Sequence, residues 1–177
     1  FSSRMKRILS LDGGGSRGLF TLQVLKKIEK SLPTDPVTGK PYDLNSYFDL
    51  MAGTSTGSIL ATLLRWGYSL DEIEDFYFDK LPLIFDRGFR IPGFNNVFKP
   101  DNLKKELQHI FGVPSDFTKE GERKAYWKPG EPLPDWSYGS SKLKGYLMVV
   151  VMRSDTLSHW IQTNHPDAPY NDVRRFD

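Results

Sequence analysis

The sequence predicts an α/β domain built on a mainly parallel sheet, and three observations carry that prediction. Strand-like and helix-like runs alternate through the first half of the chain. Each of the first two strand candidates runs into a glycine-bearing loop and then into an apolar-periodic helix. A third strand candidate, apolar throughout, lies far downstream, which suits a parallel strand buried on both faces.

The elements follow in order. KRILSLDGGG holds a short strand, Ile8 to Leu11, that ends in glycines. In LFTLQVLKKIEKSL the residues Leu19, Leu22, Val24, Leu25, Ile28 and Leu32 fall near helical spacing, with lysines on the other face. TDPVTGKPYDLNS is a turn-rich connection with two prolines. YFDLMAG is the second strand, and SILATLLRWG a nearly all-apolar helix closed by Gly67. Ser69 and Glu72 form a capping box for a third helix, SLDEIEDFYFDKL. DNLKKELQHIFG is a fourth helix, with Asp101 as its N-cap and Gly112 just past its end. Residues 113–143 are polar and rich in proline and glycine, a long loop or insertion. GYLMVVVM, residues 145–152, is the third strand, and the tail after it has no clear period.

Composition narrows the function. The 177 residues are one domain's worth of chain, enough to bury a core. A formal charge of +2 without a Lys/Arg block gives no reason to expect a nucleic-acid partner. With no cysteines the chain has neither disulfides nor thiolate metal sites, and His109, His159 and His165 are not at metal-ligand spacing. No cofactor and no metal are expected. No apolar run is long enough to span a membrane, and the N-terminus lacks a signal-peptide core. A cytoplasmic or membrane-peripheral location is therefore expected. The chain starts at Phe1 and stops at NDVRRFD, and both ends read as cut.

Two loops carry the chemistry. Gly53-Thr54-Ser55-Thr56-Gly57 is a G-x-S-x-G between a strand and a helix, the pattern of a nucleophile elbow. The turn is tight enough that a side chain at Gly53 or Gly57 would strike the neighbouring helix or strand. Upstream, Asp12-Gly13-Gly14-Gly15-Ser16-Arg17-Gly18 can turn several N–H groups outward ahead of a helix N-terminus, which suits an anion. Gly13, Gly15 and Gly18 satisfy the dinucleotide pattern G-x-G-x-x-G. That pattern needs an acidic residue closing the second strand roughly twenty positions on. Asp35 sits in a turn before a proline, Asp49 comes too late, and no P-loop lysine follows, so the nucleotide reading fails its context. In a right-handed βαβ unit the two loops instead meet at the carboxyl edge of the sheet. There the N–H groups of Gly14 and Gly15 would face an oxyanion created by Ser55. Asp12 is expected to accept backbone N–H groups within the loop.

These residues resemble the patatin-like phospholipases. DGGGSRG is similar to that family's D-G-G-G-x-R-G loop and GTSTG to its elbow, in the same order and with a similar lead-in, YFDLMAGTSTGSILA. The resemblance implies a three-layer α/β/α fold in a single domain, incomplete at its C-terminus. It implies acyl-ester hydrolysis of phospholipids or related lipids by a Ser–Asp dyad without histidine or metal. By the same resemblance Ser55 is the nucleophile, Gly13, Gly14 and Gly15 form the oxyanion hole, and Arg17 supports the loop or the developing charge. Gly18, Gly53 and Gly57 shape the two turns.

There are two departures from the family pattern. Ser58 replaces a glycine common after the elbow, and no D-G-G or D-G-A follows it to supply the aspartate. Asp155, Asp167, Asp172 and Asp177 lack the following glycine, so the base is unassigned and is expected beyond Asp177. A silent lipid- or partner-binding module is the rival function. The aromatic stretch with Phe85, Phe89, Ile91 and Phe94 beside Arg87 and Arg90 is either an ordinary packed loop or a peripheral membrane contact.

Overall fold

The computed structural model describes residues 5–84, 100–114, 134–137, 139–152 and 155–168. The stretch 85–99, most of the 113–143 insertion, and Asp172 and Asp177 lie outside the described residues. The chain divides into two compact units, Phe1–Glu74 with Ser141–Arg174, and Asp75–Ser140 with Arg175–Asp177.

The first unit is the sheet and its helices. Its elements are β1 (Ile8–Leu11), α1 (Gly18–Lys30), a one-turn α2 (Leu44–Tyr47), β2 (Leu50–Thr54) and α3 (Thr56–Trp66). They are followed by the start of α4 (Leu70–Ile84), and later by β3 (Tyr146–Met152) and β4 (His159–Thr163). The strands lie in the order β1-β2-β3-β4. The pairs β1–β2 and β2–β3 are parallel, and β4 closes the sheet antiparallel to β3. The class is the predicted one, an α/β fold with a mainly parallel sheet and helices packed against it. The second unit holds the rest of α4 and α5 (Pro100–Phe111), joined by a Lys80–Glu106 ion pair of 3.2 Å.

Local rules account for most boundaries. Gly67, at φ 99°, ends α3 in the left-handed conformation, and Tyr68 N–H returns to the Leu63 carbonyl. The Ser69–Glu72 capping box forms in both directions, 2.7 and 3.3 Å. Helix α5 begins at Pro100 rather than being capped by Asp101; proline's missing N–H costs nothing in a first turn. Gly112, at φ 67°, ends it as predicted. Two elements were not predicted. Helix α2 forms in the turn-rich connection because Asp43 and Ser46 make a reciprocal capping box. Strand β4 forms because the β3 edge gives its backbone a full ladder of partners.

Helix α3 is the buried centre of this unit. Leu60, Ala61, Leu63 and Leu64 are 3 % exposed or less, and the helix runs against β1, β2 and β3. Arg65, near its C-terminus, is also completely buried. Its guanidinium donates to the carbonyls of Asn45 (3.1 Å), Phe48 (2.9 Å), Lys144 (2.7 Å) and Tyr146 (3.0 Å). Burial pushes the guanidinium down to about 10, so it stays charged at neutral pH. The charge is held by backbone dipoles, and it ties the end of α3 to the entries of β2 and β3. Gly145 makes room for it: a Cβ there would lie 2.8 Å from Arg65 Nη1.

Candidate active site

Pairing of Leu11 with Gly53 brings the carboxyl ends of β1 and β2 side by side, so the loops that leave them meet. The glycine loop passes through a 3-10 turn, Gly15–Arg17, into α1, whose first residue, Gly18, is buried. The elbow consists of Ser55 alone between β2 and α3. Ser55 has φ 50° and ψ −126°, a region that costs a non-glycine residue about 1–3 kcal/mol. That strain turns the chain from strand to helix in one residue and leaves the serine exposed at the sheet edge.

The flanking glycines are required by close approach. A Cβ on Gly53 would lie 2.4 Å from the Gly57 carbonyl oxygen, and one on Gly57 only 2.1 Å from that of Leu11. The glycine loop is equally tight against Ser55. A Cβ on Gly13 would lie 2.5 Å from Ser55 Cβ and 3.3 Å from its Oγ. The sequence thus brings the loop and the serine into van der Waals contact, as the meeting of the two loops at one sheet edge requires.

The direction of the glycine amides differs from the sequence reading. Gly13 N–H donates to Thr54 Oγ1 and Gly14 N–H to Thr56 Oγ1, each at 3.1 Å. Gly15, at φ 58°, has no acceptor for its N–H among the described residues. Asp12, expected to hold the loop, is exposed and accepts none of its amides; the two threonines take that role. Arg17 folds over the loop, its Cβ 3.2 Å from where a Gly14 Cβ would stand. Its guanidinium is exposed, and no hydrogen bond or ion pair engages it among the described residues. Ser58, the departure from the family pattern, donates its backbone N–H at 2.9 Å and also its hydroxyl to the Ser55 carbonyl. The sequence pattern assigns no role to Thr54 or Thr56, because the amides they accept lie 41 and 42 positions away, and it marks Ser58 only as a departure from the family pattern.

Among the described residues no side chain hydrogen-bonds Ser55 Oγ. Asp49 accepts Arg7 N–H (2.9 Å) at the opposite end of β2, and Asp155 accepts Thr156 N–H (2.8 Å) in its own turn. Asp167 is exposed and also stands apart from Ser55.

A family model described as patatin-like phospholipase matches residues 9–156, a span that includes both loops, β2, β3 and all but the first residue of β1. The chain belongs to that family. It is 46% identical over 117 residues to a "cGAMP-activated phospholipase" of Escherichia coli, covering 63% of this chain and 33% of that protein. It is 43% identical over 94 residues to a protein of the same description from Vibrio cholerae, covering 52% and 26%. It is 44% identical over 112 residues to "Phospholipase A I" of Arabidopsis thaliana, covering 60% and 8%. The chain therefore spans a third or less of each of these relatives. No helix among the described residues is long and apolar enough to cross a membrane.

Proposed function

We propose that the protein containing this chain is a serine lipid acyl hydrolase that cleaves acyl esters of phospholipids or related lipids. One observation carries the reading: a serine forced to φ 50° between a strand and a buried helix, with a glycine loop packed on its Oγ. Strain of this kind persists only where the surroundings over-determine it, and it concentrates at functional sites. Family membership and the phospholipase descriptions of the relatives support the same chemistry.

In this reading Ser55 Oγ attacks the ester carbonyl while a carboxylate takes its proton. The charge on the carbonyl oxygen forms beside Gly13, Gly14 and Gly15, where the Gly15 N–H is not already engaged. Collapse returns the proton to the leaving alcohol and leaves the acyl group on Ser55. Water then attacks, its proton passing to the same carboxylate; collapse breaks the acyl–Oγ bond as that proton is returned to Ser55 Oγ, and the fatty acid departs. Arg17 supplies a positive charge at the loop. No carboxylate of this chain is assigned the role of base. Substrate reaches the site by peripheral contact with a lipid surface.

The test is fluorophosphonate labelling of the full-length protein with Ser55→Ala as control, the adduct located by mass spectrometry. Labelling at Ser55, absent in the variant, is the expected result. Folded protein that takes no label would instead indicate a silent lipid- or partner-binding module. Because two relatives are described as cGAMP-activated, labelling is measured with and without that nucleotide.

A further inference from the structure

The geometry points to Thr54 and Thr56 as positioning residues that hold the oxyanion loop in register with the nucleophile. The inference rests on Ser55 being that nucleophile. The two threonines flank it in sequence, one ending β2 and the other beginning α3. The abrupt turn at Ser55 sends both hydroxyls toward the neighbouring loop. There they accept two consecutive amides, Gly13 N–H on Thr54 and Gly14 N–H on Thr56, each at 3.1 Å.

Two parallel bonds fix a loop where one would leave it free to pivot. They pin Gly13 and Gly14 to the two residues that flank Ser55, so that the next amide, Gly15, is the first without an internal acceptor among the described residues. A third hydrogen bond, Arg17 N–H to the Gly14 carbonyl at 3.1 Å, closes the turn beyond it. The three-glycine loop has no side chain of its own with which to hold a conformation. Its order is therefore borrowed from the threonines of the elbow. Serine could supply the same acceptor; valine matches threonine in shape and supplies none. A misplacement of about 1 Å between reacting groups can cost roughly 100-fold in rate, and loss of one oxyanion donor costs a similar factor.

The experiment pairs Thr54→Val with Thr54→Ser, and Thr56→Val with Thr56→Ser, in the full-length protein. Thr54 is exposed, so its valine variant should keep the fold; Thr56 is buried and serves as the second case. Two readouts are taken: amide hydrogen exchange at Gly13 and Gly14 by NMR, and the rate of fluorophosphonate labelling at Ser55. The expected result is faster exchange at Gly13 in Thr54→Val and at Gly14 in Thr56→Val. Labelling falls about 10- to 100-fold in the valine variants, and the serine variants recover to within about 3-fold of wild type. Faster exchange with unchanged labelling would overturn the positioning role while leaving Ser55 as nucleophile. Unchanged exchange in the valine variants would overturn the bonds themselves. Absence of label on Ser55 in the wild type would remove the hydrolase reading, and the positioning role with it.

Discussion

Replacing Ser55 by glycine should make the protein more stable and inactive at once. At φ 50° and ψ −126° the serine Cβ is strained against its own backbone, at a cost of about 1–3 kcal/mol that glycine does not incur. Against this, glycine loosens the unfolded chain by about 0.5–1 kcal/mol. At mid-range the net gain is about 1.3 kcal/mol, or about 3–5 °C in Tm at roughly 2–4 °C per kcal/mol for a chain of this length. Ser55→Ala is the reference, since alanine keeps the Cβ and the strain while losing the hydroxyl. Thermal melts of the three proteins, followed by circular dichroism, measure the effect, and fluorophosphonate labelling reports the loss of the nucleophile in both variants. If Ser55→Gly melts at or below Ser55→Ala, the elbow stores no strain and the argument from backbone geometry to function fails.

Other consequences are as direct. In Gly57→Ala the new Cβ starts 2.1 Å from the Leu11 carbonyl oxygen and must retreat by about 0.9 Å to reach the 3.0 Å that real contacts allow. Labelling of Ser55 should fall about 100-fold with a loss of about 1–3 kcal/mol in a melt; wild-type labelling would refute the close approach. Arg65→Met strips a buried charge's donors from four part-buried backbone carbonyls and should cost about 3–5 kcal/mol in urea unfolding. Arg65→Lys should not rescue it, because one ammonium cannot span acceptors from Asn45 to Tyr146. Burial, opposed by the backbone N–H of Leu44, raises the Glu29 carboxyl above its ordinary value. The folded state then binds a proton more tightly than the unfolded chain, so Glu29 contributes stability below its unfolded pKa that is lost as pH rises through the folded one. Relative to Glu29→Gln, wild-type stability should therefore rise on acidification through that window, and parallel melts of the two proteins across it would refute the shift.

What could be read from the sequence was what depends on near neighbours in the chain. β1, β3, the Gly67 and Gly112 stops and the Ser69–Glu72 capping box are set by residues a few positions apart, so pattern alone locates them. Strand β4 has no such signature: HWIQT is extended because β3 offers it a ladder, which is long-range information. Arg65 reads in sequence as the polar end of an apolar helix, yet it is fully buried because carbonyls from two distant segments converge on it. At the site, the residues themselves were legible, Ser55 and its glycines above all, because sterics dictate small residues at a tight turn. The aim of the glycine amides was not, since it depends on hydroxyls 41 and 42 positions away.

Helix α3 connects these two levels. Its N-terminus begins at the strained serine, and a strained residue relaxes unless both segments it joins are held. Gly57 locks that end against β1, and the paired Thr54 and Thr56 bonds lock it against the glycine loop. A helix pinned at one end can still tilt, and tilting about the elbow would relieve Ser55. Arg65 prevents it from the other end, ten residues on, by fastening the last turn of α3 to the entries of β2 and β3. The buried charge is thus coupled to the elbow through the helix: a lost Arg65 lets α3 move, and the first thing released is the backbone angle that presents Ser55. On this argument Arg65→Met should reduce labelling of Ser55 even where the protein remains folded, whereas a truncation of equal cost elsewhere in the core, such as Leu22→Ala, should not.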